Sequence, residues 1–257
     1  MSGAEGAQAG VSAVLIRHFP TDWNLERRLQ GRTDRPLTEA ARTALAALAL
    51  PEPWPEASIW ASPLSRAAET ARFLAAGRPV AQDVRLMELS WGDWEGHTAE
   101  ALMADPATGF VPTASLGWAA RPPGGESAAE AWARVQPCLA AIAAAGLPAV
   151  IVSHKALMRV ILAQAEAAAA GTAAPRHLNG AGHAPGGDGV ANGAANGAGE
   201  GAGAVNRETI PIKRGHLYPV TIGPDGTVRR ARMRGGARQA GLRLVPAGAA
   251  LPAGRPA

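Results

Sequence analysis

The chain has a single cysteine, Cys138, among 257 residues. That excludes an internal disulfide framework and a thiolate-based zinc site. Aromatic residues make up only 4% of the chain, with one Tyr and three Phe. The 47% hydrophobic fraction therefore overstates the core, because alanine supplies much of it and buries little area per residue. No run of about 18 strongly apolar residues is present, so no membrane span is expected. The opening residues, Met1 to Gly10, lack a basic stretch leading into an apolar one, so no secretory signal is expected. A cytoplasmic protein is the expectation. Acidic residues are scarce from Lys213 to Ala257, where arginines cluster. That segment accounts for the net charge of +4 without a nucleic-acid groove. From Arg229 onward it has no aromatic side chain to interleave with its arginines, so no nucleic-acid partner is expected.

What is present alternates between short apolar runs and helical patterns. Ala13–Ile16 reads as a buried strand ending at Arg17-His18. Thr38 opens a helix to about Leu50, stopped by Pro51, Pro53 and Pro55. Ser58–Ala61 reads as a second strand. Ser62 as cap and Pro63 at the first position open a helix to about Ala76, with Leu64, Ala67, Ala71 and Leu74 on its buried face. Ser127 and Glu130 form a capping box for the next helix, which Pro137 is expected to kink. Ala149–Val152 is a third strand, followed by a helix from Lys155 to about Ala169. Leu217–Ile222 is a late strand before the turn Pro224–Gly226. This alternation predicts an α/β fold with a largely parallel sheet.

Two segments break the pattern. Residues 171–205 are nearly all Gly, Ala and Asn and cannot offset chain entropy by burial, so they are expected to be a disordered insertion. Residues 229–257 are expected to be a loosely held basic tail. The domain is thus expected to span residues 11–228 with that interruption.

Four separated segments carry the chemistry: Arg17-His18, Arg66, Glu88 and His154. Ligands of parallel α/β sheets bind outside the carboxyl ends of the strands. His18 and His154 each follow directly on a strand, which directs both into one crevice. Arg66 lies in the first turn of the helix after Ser58–Ala61, at the same sheet edge. Two arginines, two histidines and a helix N-terminus suit a compact dianion, and phosphate is the natural candidate.

The segment Arg17-His-Phe-Pro-Thr-Asp-Trp-Asn-Leu-Glu-Arg-Arg-Leu-Gln-Gly31 resembles the opening signature of the histidine phosphatase superfamily, phosphoglycerate-mutase-like branch. Ser62-Pro-Leu-Ser-Arg66 resembles its second block, and Glu88-Leu-Ser-Trp-Gly-Asp-Trp-Glu-Gly96 its third. Pro122-Pro-Gly-Gly-Glu126-Ser127 and Val152-Ser-His154 complete the set. The resemblance implies a three-layer α/β/α sandwich with a largely parallel central sheet. It also implies a metal-independent phosphatase, without cofactor, that hydrolyses small phosphomonoesters through a phosphohistidine. His18 would be the nucleophile and Glu88 the proton donor. Arg17, Asn24, Arg66 and His154 would hold the phosphate, with Thr21, Gln30, Gly31 and Lys155 shaping the substrate pocket.

Two departures from the family pattern bear on the substrate. Phe19 stands where a glycine commonly follows the nucleophile, and its bulk is expected to narrow the pocket or tilt the next loop. Lys155 replaces a small residue and is expected to add a rim cation that favours a more anionic substrate. Two other activities compete. A phosphoglycerate mutase-type transferase would return the phosphoryl group to a second hydroxyl, but the longer basic, proline-rich insertion of the dedicated mutases is absent after the Glu88 block. A non-catalytic phospholigand-binding protein would lack a catalytic residue, and none is missing.

Overall fold

The computed structural model describes residues 10–112, 115–175, 178, 212–231 and 243–248. In chain order its strands are β1 Val11–Arg17, β2 Leu48–Ala49, β3 Ser58–Ala61, β4 Val80–Gln82, β5 Ala149–Ser153, β6 Leu217–Ile222, β7 Val228–Arg230 and β8 Val245–Pro246. The α-helices are α1 Asp22–Leu25, α2 Glu39–Ala46, α3 Ser65–Ala75, α4 Ala99–Ala104, α5 Ala128–Ala144 and α6 Lys155–Ala169.

Among the described residues, one sheet has the order β4-β3-β5-β1-β6-β7. The strands β4, β3, β5 and β1 are parallel, and β6 and β7 run antiparallel at the far edge. The central strands β1 and β5 carry the unbroken apolar runs Ala13–Ile16 and Ala149–Val152 because both faces are covered. Side chains alternate between faces with period two. Ala13, Leu15, Ala149 and Ile151 therefore pack with α5 and α6 through Val135, Leu139, Leu157 and Ile161. Val14, Ile16, Val150 and Val152 face the opposite way and pack with α2 and α3 through Leu45, Ala67, Ala71 and Leu74. The result is the expected three-layer α/β/α sandwich, with its core in two halves divided by the sheet.

The register fixes where the chemistry sits. Arg17 pairs with Ser153 across β1 and β5, and the His18 N–H donates to the Ser153 carbonyl at 2.9 Å. His18 and His154 thus leave adjacent parallel strands at the same level.

Several expected boundaries are corrected. The helix from Thr38 stops at Ala46, not Leu50, because Leu48–Ala49 pair with Val245–Pro246 in a small second sheet. Ser62 is not the cap of α3. Its Oγ accepts from the Leu64 N–H, Leu64 is the cap residue, and the helix begins at Ser65. The Asp34 carboxylate reaches from another segment to accept from the Ser65 N–H at 2.9 Å and supplies the missing cap. α5 runs through Pro137 without a break, although proline removes one hydrogen-bond donor from its interior. The Ser127–Glu130 capping box forms as expected.

The tail is not uniformly loose. Arg229 and Arg230 belong to β7, so the folded unit passes residue 228. Leu244 is buried, its N–H donates to the Gly215 carbonyl, and Ala247 donates to the Ala47 carbonyl. Residues 232–242 and 249–257 of the tail lie outside the described residues. So do 176–177 and 179–205 of the expected insertion. Of its described residues, Thr172 donates its N–H to the Ala167 carbonyl, and Leu178 is fully buried in the core. Among the described residues, no helix is long and apolar enough to cross a membrane.

Candidate active site

The carboxyl ends of β1 and β5 open into a cavity of about 370 Å³. Arg17, His18, Asn24, Gln30, Glu88 and Lys155 line it. Arg66 and His154 stand fully buried beside it, and the His154 ring centroid is 5.1 Å from that of His18.

His18 is held by its own loop. Its Nδ1 lies 2.6 Å from the Phe19 carbonyl oxygen. A carbonyl only accepts, so Nδ1 carries the proton and Nε2 keeps its lone pair in the neutral ring. Burial, followed by the charges of Arg66 and Arg17, holds the imidazole well below its ordinary pKa. It is therefore neutral at neutral pH. His154 is shifted the same way by burial, Arg66 and His18, and neither of its ring nitrogens has a hydrogen-bond partner among the described residues.

Arg66 is a fully buried cation and Arg17 a half-buried one, and both have a spare donor. The Nε of each is buried without a partner among the described residues. Arg66 Nη2 donates to the Gly31 carbonyl at 2.6 Å and Nη1 to the Thr33 carbonyl at 3.1 Å, with Asp34 at 3.8 Å. Burial, then the nearby Arg214, brings Arg17 down to about 9, which still leaves it charged at neutral pH. Buried donors of this kind are normally satisfied. Such donors beside two neutral histidines are chemically able to hold an oxyanion.

Glu88 is buried at the N-terminus of α6. Its Oε1 accepts from the Leu89 N–H at 3.0 Å and the Leu157 N–H at 2.9 Å, and its Oε2 accepts from the Ala156 N–H at 3.0 Å. Burial raises its pKa, while these three backbone donors and Arg66 pull the other way. The net direction is upward, toward the protonated form. The backbone of Glu88 is fixed from behind. Arg32 Nε and Arg134 Nη2 each donate to its carbonyl at 3.2 Å. Arg134 also donates to the Arg85 and Met87 carbonyls and pairs with Glu126 at 2.6 Å.

The remaining expected pocket residues divide. Gln30 and Asn24 reach the cavity, and Gln30 Oε1 accepts from both Asn24 Nδ2 at 3.2 Å and Thr21 Oγ at 2.8 Å. Thr21 is fully buried and caps α1 in a reciprocal pair with Asn24. Gly31 lies next to Gln30 but is not among the lining residues. A Cβ there would come within 2.1 Å of Glu95 Oε1, and its carbonyl is the one that receives Arg66. Thr21 and Gly31 therefore shape the loop and do not face the cavity. Phe19 does not narrow it either. The ring is buried in the half-core with Leu37 and Leu45, while its N–H donates to Thr70 Oγ at 3.2 Å. Trp91 lines the cavity, Trp94 is core, and Trp118 packs partly buried against the core.

Four arginines absent from the expected set also line the cavity: Arg27, Arg28, Arg159 and Arg214. Arg159 was detectable, because it follows Lys155 by four residues on one helix and so shares its face. Arg214 precedes β6 and carries no local signal. Arg134 and Arg32, which hold Glu88, carry none either.

The family model described as histidine phosphatase superfamily (branch 1) matches residues 13–182. A glucosyl-3-phosphoglycerate phosphatase of Mycobacterium tuberculosis is 35% identical over 167 residues, 58% of this chain and 73% of that protein. A probable phosphoglycerate mutase GpmB of Enterobacter is 38% identical over 138 residues, 51% of this chain and 62% of that protein. Among solved structures, Bacillus stearothermophilus YhfR is 25% identical with a TM-score of 0.58, covering 90% of this chain and 100% of that one.

Proposed function

Because the chain belongs to the histidine phosphatase superfamily, branch 1, we propose that it hydrolyses small phosphomonoesters through a phosphohistidine on His18, without a metal ion. The observation that carries this reading is the Nδ1 contact of His18 with the Phe19 carbonyl. It leaves a lone pair on Nε2 of a neutral ring, beside Arg17 and Arg66, whose Nε donors have no partner among the described residues. A neutral imidazole attacks without first losing a proton.

In the first step Nε2 forms a bond to phosphorus as the ester oxygen–phosphorus bond breaks. The electron pair of that bond stays on the leaving oxygen, which takes the Glu88 proton. Glu88 Oε2 accepts only one backbone N–H, so it is the oxygen with room for that proton. Arg17, Arg66 and His154 hold the non-bridging oxygens, and Asn24 donates its second amide hydrogen. The two guanidinium charges neutralise the phosphoryl group as it moves in line between oxygen and nitrogen. In the second step the Glu88 carboxylate takes a proton from water. That water attacks phosphorus, the phosphorus–nitrogen bond breaks, and phosphate leaves with His18 restored.

The raised pKa of Glu88 and the lowered pKa of His18 suit these roles together. The fixed cations do the charge neutralisation that a metal would otherwise supply. Hydrolysis of p-nitrophenyl phosphate in EDTA, lost in His18→Ala, is the expected outcome. No turnover of this or any other phosphomonoester in a panel would sink the reading. The likeness to a probable phosphoglycerate mutase favours a second reading, phosphoryl return to a second hydroxyl. A coupled assay with 3-phosphoglycerate and catalytic 2,3-bisphosphoglycerate separates the two, and robust isomerisation would select the mutase.

A further inference from the structure

The cavity holds more positive charge than one phosphate requires. Arg17 and Arg66 already match a phosphate dianion, since both histidines are neutral. Lys155, Arg159 and Arg214 line the same cavity, and among its described lining residues Glu88 is the only carboxylate. Several arginines elsewhere in the fold are paired with acids: Arg42 with Glu69, Arg85 with Asp83, Arg134 with Glu126 and Arg230 with Glu166. Arg159 and Arg214 make no such pair, and the Nε of each is buried without a partner among the described residues. Arg159 is 9% exposed.

A scarcity of acids does not explain this. Glu166 lies on the same helix as Arg159, yet it pairs with Arg230. Removing a cation from water without a counter-charge is costly, so an arrangement of this kind points to a ligand that completes it. Lys155 responds to the neighbouring cations. Loss of water around the ammonium, then Arg159 and Arg17, brings Lys155 down to about 8. Lys155 and Arg159 lie four residues apart on α6, and Arg214 approaches from the segment before β6.

We propose that Lys155, Arg159 and Arg214 form a second anion site, so that the substrate is a phosphomonoester bearing another anionic group, a carboxylate or a second phosphate. This rests on the phosphatase reading for the identity of the first group. A cavity of about 370 Å³ is within the size range of small-molecule sites.

The test uses non-hydrolysable ligands that differ only at one end. Propylphosphonate, 3-phosphonopropionate and ethylene-1,2-bisphosphonate end in a methyl, a carboxylate and a second phosphonate. Homologues with one and two more methylenes cover the reach. Binding is measured by calorimetry on the wild-type chain and on Arg159→Met and Arg214→Met, each checked for folding by its melting curve. At least one doubly anionic ligand should bind the wild type about tenfold or more tighter than its methyl-ended counterpart, which is about 1.4 kcal/mol. In either variant that advantage should shrink to about threefold or less, with the methyl-ended ligand changed by less than about threefold. The better of the carboxylate and bisphosphonate arms identifies the second group. No advantage in the wild type, or an advantage unchanged in both variants, overturns the proposal. So does equal weakening of the methyl-ended ligand, which would place the arginines on the reacting phosphate. Hydrolysis of p-nitrophenyl phosphate by the same wild-type sample is scored separately. Its absence beside intact discrimination would reject the phosphatase reading and leave the second anion site standing.

Discussion

Replacing Glu88 by Gln separates its two possible duties. As a cap, the carboxylate accepts three backbone N–H groups at 2.9–3.0 Å, from Leu89, Ala156 and Leu157. As an acid, it supplies the leaving oxygen with a proton. Gln keeps the shape and one acceptor oxygen, which suffices for Leu89 and Leu157. The Ala156 N–H then faces an amide NH₂, and an unmatched buried donor costs about 1–3 kcal/mol. The melting temperature should fall accordingly. The catalytic effect should depend on the leaving group. General acid catalysis contributes about 10²–10⁴-fold when the leaving oxygen needs a proton. An alkyl phosphate such as glycerol phosphate needs one, whereas p-nitrophenolate leaves without help. The parameter to compare is kcat/KM, because it reports steps up to phosphohistidine formation and is blind to the later hydrolysis. For glycerol phosphate it should fall about 10²–10⁴-fold, and for p-nitrophenyl phosphate less than about tenfold. Equal losses on both substrates would refute the assignment and leave Glu88 a helix cap.

Arg134→Met removes donors from the Arg85, Met87 and Glu88 carbonyls and leaves Glu126 without its closest partner. A loss of about 3 kcal/mol is expected by urea denaturation, together with a kcat/KM loss that is again larger for glycerol phosphate than for p-nitrophenyl phosphate. Gly92 has φ +54°, and a Cβ there would sit 2.0 Å from the Pro123 carbonyl oxygen. Gly92→Ala should therefore cost about 2–4 kcal/mol, read from the same curves. His18 and His154 have folded pKa values below the ordinary value, so the unfolded chain binds more protons than the folded one as pH falls. Stability should drop between about pH 7 and 5.5, and His154→Asn should flatten that slope. Unchanged melting temperature of the wild type across this window would contradict the two shifts. In a pH–rate profile, kcat/KM for an alkyl phosphate should fall on the acid side as His18 gains a proton. It should fall on the alkaline side as Glu88 loses one.

What was legible in the sequence was what local pattern determines. β1 and β5 were visible as short apolar runs because both faces of a central strand are buried, and the histidines following them were placed by that alone. The capping box at Ser127 and Glu130 is a contact between residues three apart, so it too could be read. What was missed depends on partners distant in the chain. α2 looked longer because Leu48 and Ala49 suit a helix. Their pairing with Val245 and Pro246, about 200 residues away, decides otherwise. Ser62 had every local mark of a cap, yet Asp34 arrives from elsewhere to satisfy Ser65. Arg214 looked like part of a basic tail and lines the cavity. Phe19 looked like an intrusion into the pocket and turns into the core, because the chain between His18 and Thr21 must bring its carbonyl back to the His18 ring. The opening scarcity of large side chains has a counterpart in the fold. Small residues such as Ala67 and Ala71 let α3 lie close on the sheet.

The central claim is a phosphoryl group on the Nε2 of His18. Rapid quenching of the wild-type chain with a radioactive phosphomonoester, followed by peptide mapping, tests it directly. A base-stable, acid-labile label on the peptide carrying His18, absent from His18→Ala, is predicted. A label that survives acid, or one that maps away from His18 while His18→Ala keeps its turnover, would contradict it.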